Sequence, residues 1–294
     1  MDLSVIIVNW NVRDLLRNCL RSLHETLDGV RYEVIVVDNA SRDDSAAMVR
    51  AEFPGARLVE NRQNAGFCRG NNQGIALARG RYVVLLNPDT EVREGALQRL
   101  MAFLDEHRDV GVVGPMLLTP TGEPAPTGSC FPGVLREAVG VLGLHNLYRA
   151  RYDLQSYGRT DFTGMADVDV ICGACLMTRS EVLDRIGGLD EDLFMFFDEV
   201  DFCRRARKAG WRAVYVPEAR VLHVWMGSVR QDALGAMRRF YRAQFVYFRK
   251  HHGLAAALLL RVLGLGALAG RAARITGVRW RDALLRGRGK PGPP

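Results

Sequence analysis

The run Tyr82-Val83-Val84-Leu85-Leu86-Asn87-Pro88-Asp89-Thr90 joins an apolar segment to a polar turn. The five residues from Tyr82 to Leu86 predict a strand buried on both faces, which is typical of a parallel sheet. Pro88 ends that strand because it has no backbone N–H to donate. Asn87 and Asp89 then follow the carboxyl end of the strand, where open α/β sheets bind their ligands. Asp89 is therefore a candidate functional carboxylate, and the alternative is a turn without a further role.

The chain before this run alternates strands with helices. Residues 3–8 predict a buried strand, residues 32–37 a second strand and residues 57–60 a short strand, and helical patterns lie at about 43–53 and 70–78. This alternation predicts an α/β fold with a doubly wound, mostly parallel sheet and right-handed crossovers. Neither a Gly-x-Gly-x-x-Gly turn nor a Walker loop is present, so phosphates need another anchor. A metal ion on a strand-end carboxylate is the expected one.

The pattern after the run is weaker but continues the alternation. Residues 134–163 have little periodicity. Ser180 is expected to be the N-cap of a short helix. The further predicted elements are helices at 94–107 and 181–186 and strands at 110–113, 168–178 and 214–217.

Three carboxylates open a predicted helix that runs to about residue 209. Asp198, Glu199 and Asp201 follow the apolar run Phe194-Met-Phe-Phe197. Carboxylates at a helix amino terminus are favoured by the helix dipole, so capping is one interpretation. The other is catalysis, because a neighbouring aromatic wall raises the pKa of a carboxyl group and a carboxylate at a cleft can act as a general base.

His223 follows a short apolar segment, and a lone histidine in that setting is more often structural than a ligand. Its imidazole together with a carboxylate would nevertheless suit a divalent cation that also binds phosphate oxygens. Cys172 and Cys175 have the spacing of a metal or redox pair. Without a second such pair, buried small residues are the preferred interpretation.

Basic residues are concentrated at the carboxyl end. Residues 238–294 hold 13 Lys or Arg against one acid, although the net charge of the chain is only +7, so the remainder is acidic. Aromatic residues and a Leu-, Ala- and Gly-rich run accompany these cations, which favours an anionic membrane surface over a nucleic acid as the partner of residues 238–294. A helix in the membrane interface is predicted, and a core-packing helical pair is the alternative.

Five segments in order resemble the inverting glycosyltransferases of family 2, which have the GT-A fold, and within them the rhamnosyltransferase-like branch. These segments are Val5–Asn11, Val36–Ser41, Asn61–Asn72, Leu85–Asp89 and Phe197–Cys203. The first two look like the opening strands of the family, and the third is similar to the loop and helix beside the nucleoside. The fourth stands at the place of the Asp-x-Asp metal motif, and the last matches the acidic motif with the catalytic base.

The resemblance implies a role for each matching residue. Asp38 would bind the base or ribose of the donor, and Asp89 would hold Mg²⁺ or Mn²⁺ with help from His223. Glu199 would be the base, with Asp198 as the alternative and Asp201 orienting or capping. The expected donor site comprises Val8, Asn9, Asp38, Asn64, Gly66, Phe67, Asn71, Asn87 and Asp89, and the expected acceptor side comprises Gly173, Ala174 and Trp225.

The expected domains are a GT-A domain over residues 1–230, with nucleotide-binding and acceptor halves meeting near residue 115, and a helical basic tail over 231–294. The expected reaction moves rhamnose or another deoxyhexose from a dTDP- or UDP-linked donor to a cell-wall or surface glycan or glycolipid. Asn87, where the family has Asp, weakens the metal site. A sugar-nucleotide-binding protein without catalysis is therefore the alternative, and nucleic-acid binding by the tail is a third possibility.

The amino terminus begins directly with a predicted strand, which argues against a signal peptide. We therefore expect a cytoplasmic protein with reduced thiols. Its tail is expected to hold it at the inner face of the membrane. A homodimer is left open.

Overall fold

The computed structural model describes residues 1–125, 127–142, 164–225 and 233–266. The chain divides into two compact units. The first contains Met1–Phe131 and Gln155–Gln244, and the second contains Pro132–Leu154 and Phe245–Pro294. The functional division predicted at residue 230 stays a prediction. Much of the weakly patterned segment 134–163 lies outside the described residues.

The first unit is built on a ten-stranded sheet with the order β3-β2-β1-β4-β11-β6-β12-β5, to which β7 and β9 add at β6 and β12. Strands β1 to β4 pair in parallel, as do β6 and β12, whereas β11 runs antiparallel between β4 and β6. The α/β class and the mostly parallel sheet are therefore confirmed. The strands are Leu3–Asn9 (β1), Tyr32–Asp38 (β2), Arg57–Glu60 (β3), Tyr82–Leu86 (β4), Thr90–Val92 (β5), Val110–Leu118 (β6), Pro124–Ala125 (β7), Gly128–Ser129 (β8), Ala166–Val168 (β9), Val170–Ile171 (β10), Cys175–Arg179 (β11) and Arg212–His223 (β12).

Helices cover the sheet through apolar faces, as the 3.6-residue pattern predicts. In the first helix, for example, Leu16, Leu20 and Leu23 are buried against the core. Residues 254–266 are also helical. The other helices are Arg13–Thr26 (α1), Ser45–Glu52 (α2), Phe67–Ile75 (α3), Ala96–Glu106 (α4), Val134–Val141 (α5), Ser180–Ile186 (α6), Asp198–Lys208 (α7) and Ala233–His252 (α8).

One edge of the sheet collects several of the polar residues that the sequence analysis predicted to be functional. Asn9 and Asp38 are register partners at the carboxyl ends of β1 and β2. Because β11 runs antiparallel to β4, its first residue Cys175 faces Leu86, the last residue of β4. β12 runs parallel to β6, so His223 ends β12 at this same edge. The topology thus brings together loops that are more than 100 residues apart in the chain.

Several predicted boundaries are wrong. The helix predicted at 70–78 begins at Phe67 and ends at Ile75, because Gly66, with φ of 89°, turns the chain immediately before it. The strand predicted at 168–178 is three short strands, β9, β10 and β11. Arg179, not Ser180, is the N-cap of α6.

The later strands are longer than predicted. The strand at 110–113 extends to Leu118 as β6, and the one at 214–217 is part of the 12-residue β12. A register shift between Val216 and Arg220 accommodates Pro217, because a bulge frees the residue that cannot donate.

Candidate active site

The ends of β1 and β2 form a buried polar cluster. The Asn9 amide donates to one Asp38 carboxylate oxygen at 3.0 Å and to the Ser41 hydroxyl at 3.0 Å, and the Ser41 N–H donates to the other Asp38 oxygen at 2.9 Å. Among the described residues, the buried Asn9 Oδ1 atom has no hydrogen-bond partner. A carboxylate held this way keeps lone pairs for another donor, such as a ribose hydroxyl.

The loop before α3 is fixed against the aromatic run that precedes α7. The Asn64 side chain accepts the Gly66 N–H at 2.9 Å, and the Asn71 amide donates to the Phe67 carbonyl at 3.0 Å. The Phe67 N–H donates to the carbonyl of Phe194 at 2.7 Å. A Cβ on Gly66 would lie 2.7 Å from the Phe194 ring, so the contact requires glycine.

Behind this loop, α3 packs closely on β1. Gly70 sits directly over Val8, where a Cβ would lie 2.8 Å from a Val8 methyl group, and Phe67 packs on the same apolar cluster. The predicted donor-site residues from Val8 to Asn71 therefore belong to one continuous region of the first unit. Their role in nucleotide binding stays a prediction.

Asp89, in the turn directly before β5, and His223, at the end of β12, are neighbours. His223 pairs in register with Thr90, and the Val224 N–H donates to the Asp89 carbonyl at 2.9 Å. The His223 Nε2 atom lies 3.2 Å from Asp89 Oδ1, and both side chains are almost fully buried. His223 Nδ1 is buried and finds no hydrogen-bond partner in the described part of the chain. Trp225 packs on the imidazole, with ring centroids 4.4 Å apart.

The residues at this position suit a divalent cation. A carboxylate and an imidazole with an unpartnered buried nitrogen form a donor set that Mn²⁺ accepts. Within the described ranges no group of three His, Cys, Asp or Glu side chains forms a complete metal cage. Two protein ligands are nevertheless sufficient for a cation whose remaining ligands are phosphate oxygens and water.

The first turn of α7 carries two adjacent carboxyl groups. Asp198 is buried, and Glu199 is half-buried. Burial raises the pKa of Asp198 to about 6, while hydrogen bonds to its carboxylate oppose that rise. Burial, with the neighbouring Asp198 charge, raises the pKa of Glu199 well above its ordinary value. Two carboxyl groups this close favour a shared proton, which leaves one carboxylate able to accept a proton from a substrate.

Asp201 has a different environment although it lies on the same helix. It is fully buried, and its carboxylate accepts a hydrogen bond from Arg205 Nε at 2.7 Å. The other Arg205 nitrogens donate to the carbonyls of Ile186 and Gly188 at 2.7 Å each. Asp201 thus orients α7 against the end of α6, and Arg205 is a positioning residue that sequence reasoning missed.

The segment Cys172–Ala174 connects the two acidic regions, which are the turn with Asp89 after β4 and the start of α7 with Asp198 and Glu199. The buried Ala174 offers its carbonyl to the Asn87 N–H at 2.9 Å. A Cβ on Gly173 would lie 3.7 Å from Glu199 Cβ and 3.8 Å from Asp198 Oδ2. Burial raises the pKa of the Cys172 thiol to about 12, and the charges of Glu199, Asp198 and Asp89 add to the rise. The strand-end and helix-start carboxylates therefore surround one short segment.

Asn72 ends the segment Asn61–Asn72 that the resemblance placed beside the nucleoside, although it was not among the expected donor-site residues. Its amide nitrogen donates to the Leu189 carbonyl and its oxygen accepts the Leu189 N–H, each at 2.8 Å. A Cβ on Gly188 would lie 2.3 Å from the Asn72 oxygen. Asn72 therefore ties α3 to the segment before α7. The partners are more than 100 residues apart, so no local pattern could have revealed the bond.

Comparisons with known proteins agree with this geometry. The profile of Glycosyl transferase family 2 matches residues 4–187. The chain is similar to the N-acetylglucosaminyl-diphospho-decaprenol L-rhamnosyltransferase of Mycobacterium tuberculosis, with 26% identity over 265 residues that cover 85% of each protein.

Two solved structures share the fold. The mannosyltransferase PcManGT from Pyrobaculum calidifontis, in complex with GDP-Man and Mn²⁺, matches with a TM-score of 0.58 and 20% identity, over 96% of this chain and 79% of that one. S. aureus TarS 1-349 in complex with UDP-GlcNAc matches with a TM-score of 0.58 and 17% identity, over 91% and 72% of the two chains. These likenesses establish a GT-A-like architecture.

Proposed function

This chain belongs to glycosyl transferase family 2, and from that premise we propose that it is an inverting enzyme that moves a sugar from a nucleoside diphosphate to a glycan acceptor. The observation that carries the proposal is the arrangement around Cys172–Ala174, where Asn87 bonds to Ala174 and Glu199 lies against Gly173. A leaving-group site and a proton acceptor on either side of one segment suit direct displacement at the anomeric carbon.

The donor is a nucleoside diphosphate sugar, with dTDP- and UDP-linked sugars as the first choices. Asp38, with its carboxylate fixed by Asn9 and Ser41, would accept hydrogen bonds from the base or ribose. The loop from Asn64 to Phe67 would close the other side of the nucleoside. Rhamnose or another deoxyhexose is the proposed sugar, in line with the name of the mycobacterial relative.

Asp89 and His223 would hold Mg²⁺ or Mn²⁺ against the diphosphate. Bound there, the cation would neutralise charge that develops on the leaving group. Asn87 in place of a second Asp lowers the negative charge of the site by one, so binding of the cation should depend more strongly on the diphosphate.

Glu199 would act as the base. Its half-buried position and its place beside Gly173 support access to an acceptor hydroxyl, whereas Asp198 is more deeply buried. Deprotonated, Glu199 removes the proton from the acceptor hydroxyl as that oxygen attacks the anomeric carbon. Attack without an enzyme nucleophile inverts the anomeric centre.

The proposed acceptor is a lipid-linked intermediate of a cell-wall or surface glycan, because the mycobacterial relative is named for a decaprenol-linked acceptor. The carboxyl-terminal helix over 254–266 supports a peripheral position on an anionic membrane. Its apolar residues Leu254, Leu258, Leu259, Val262 and Leu265 are all exposed. Among the described residues no helix has both the length and the apolar character needed to cross a bilayer.

Substitution of the proposed base tests the function. Glu199→Gln should lower transfer to an N-acetylglucosaminyl-diphospho-lipid acceptor by about 10²- to 10⁴-fold, the usual contribution of a general base. Donor binding, measured as a thermal shift with dTDP-rhamnose and Mn²⁺, should be retained. Glu181→Gln, an exposed glutamate on α6, is the matched control and should transfer normally.

The outcome also separates the alternatives. Full turnover by Glu199→Gln with loss in Asp198→Asn would transfer the role of base to Asp198. Retained anomeric configuration in the product would rule out an inverting reaction. Donor binding without turnover on any acceptor would favour a non-catalytic sugar-nucleotide-binding protein.

A further inference from the structure

The backbone directly before the acid pair is strained. Phe196 and Phe197 have φ values of 69° and 59°, in the left-handed region that bulky side chains seldom occupy. Phe197 is also the N-cap residue of α7, and its aromatic side chain makes no capping hydrogen bond to this helix. Two consecutive aromatic residues in this conformation persist only when the surrounding packing holds them there.

A single ring on another helix contacts both strained residues. The Phe240 ring, on α8, lies 5.6 Å from the ring of Phe196 at an interplanar angle of 73°, and 5.5 Å from the ring of Phe197 at 50°. These separations and angles are those of favourable aromatic pairs. The neighbouring Arg239 lies over the ring of Phe194, with Cζ 5.6 Å from its centroid. Helix α8 therefore packs along the whole aromatic run.

Two parts of α7 are fixed by different means. Asp201, the last acid of the first turn, pairs with Arg205, whose guanidinium also binds the end of α6. Asp198 and Glu199, the first two residues of the helix, follow directly on the strained residues and depend on their packing. A change at Phe240 should therefore affect the carboxylates of Asp198 and Glu199 before it affects the rest of the helix.

We propose that Phe240 is a positioning residue that keeps Phe196 and Phe197 in the left-handed conformation and so places the carboxyl groups of Asp198 and Glu199 for proton abstraction. The proposal rests on the function proposed above. Phe240 itself touches neither donor nor acceptor in this account. A purely structural role, anchoring α8 to the sheet domain, is the alternative that the experiment must separate.

The surroundings of the acid pair indicate what to measure. Within the described part of the chain, the titratable groups that interact with it include Asp201 on the same helix and the thiols of Cys68, Cys172 and Cys203. All three thiols are neutral near pH 7, because burial raises their pKa. The high pKa of Asp198 comes from burial, so loosening of the first turn should lower it.

The test uses the full chain with a water-soluble acceptor. Phe240→Ala should lower kcat by about 10- to 100-fold, the range expected when a catalytic group moves by up to an ångström. The donor KM should stay within about twofold of the wild-type value, and the rising limb of the pH–rate profile should move to lower pH. Phe240→Tyr, which retains the ring, should keep both the kcat and the pH–rate profile of the wild type. Phe245→Ala removes a ring of the same size from the same helix and is the matched control.

An unchanged kcat in Phe240→Ala would overturn the proposal. So would a lower kcat with an unshifted pH profile, because that pattern indicates an anchor only. Phe240→Leu replaces the alanine variant if the latter does not fold, and it should show the same two effects at smaller size. If Glu199→Gln is inactive while Phe240→Ala is normal, only this inference fails. If Glu199→Gln is fully active, the proposed function of Glu199 fails instead.

Discussion

Glu199 and Asp201 lie two residues apart on α7, and their surroundings give them different chemistry. Asp201 is committed to Arg205 and to the geometry of the helix. Glu199 is half-buried beside Gly173, and burial together with Asp198 raises its pKa. The family resemblance implied that one acid orients or caps and another reacts. The sequence could also have identified Arg205, because an Asp and an Arg four residues apart on a helix are neighbours.

His223 illustrates the limit of reasoning at the scale of single residues. In the sequence it is a histidine after an apolar pair, and no local pattern connects it to Asp89. The pairing of β12 with β5 brings the two side chains to 3.2 Å. Long-range strand pairing of this kind cannot be derived from a periodic pattern within one segment. The sequence therefore offered His223 only as one possible ligand, and the family resemblance alone paired it with Asp89.

The metal proposal predicts that transfer depends on a divalent cation and on His223. EDTA should abolish transfer and Mn²⁺ should restore it. His223→Gln should raise the Mn²⁺ concentration for half-maximal activity by about 10-fold or more, because loss of an imidazole ligand weakens a site with few protein ligands. Titration of activity with Mn²⁺ measures this, with His24→Gln, an exposed histidine on α1, as the control. Activity that survives chelation would exclude the cation.

At the scale of elements, the site depends on where strands end and helices begin. The edge strand β3, which is partly exposed, matched its predicted position. The strands β1, β2 and β4 also matched closely, because buried parallel strands have continuous apolar runs with polar turns after them. The segment 168–178 was mispredicted as one strand for the same reason. Apart from Asp169 and Thr178 its residues are apolar or small, but the turn at Cys172–Ala174 divides it, and this turn connects the two acidic regions.

Removing the buried ion pair that joins α7 to α6 should destabilise the protein. Arg205→Ala leaves the fully buried Asp201 carboxylate without this partner, and breaking a buried pair costs about 3 to 5 kcal/mol of unfolding free energy. Arg207→Ala, two residues further along α7, removes an exposed pair with Asp169 and a contact over the Phe131 ring, and should cost only about 1 kcal/mol. Urea denaturation compares the two. Equal midpoints for both variants would mean that the Asp201–Arg205 pair does not hold the helix.

At the scale of the whole molecule, exposed apolar side chains and basic side chains occur together near the carboxyl end of the described chain. Along the helix at 254–266, residues 257 and 260 are buried, whereas residues 254, 258, 262 and 265 recur at intervals of three and four and are exposed. The predicted interfacial helix therefore has an apolar face that is open to solvent. Exposed Arg249, Lys250 and Arg261 lie in the same part of the chain, and Lys and Arg each contribute about 1 kcal/mol to binding near an anionic membrane.

The membrane proposal predicts that Leu258→Ser, Leu259→Ser and Val262→Ser together abolish binding to anionic vesicles without affecting the site. These side chains are 46% to 66% exposed, so their replacement should leave the fold intact. Loss of about 1 kcal/mol of membrane burial per side chain weakens binding by roughly 100-fold.

Flotation with phosphatidylglycerol vesicles measures the binding. Phosphatidylcholine vesicles, or 0.5 M salt, should each weaken the binding of the wild type by ~10-fold, and this difference measures the electrostatic contribution. Leu135→Ser, at an exposed leucine on α5, is the control. Equal flotation of the triple variant and the wild type, or equal binding to both lipids, would contradict an anionic-membrane partner and leave a second protein as the occupant of this face.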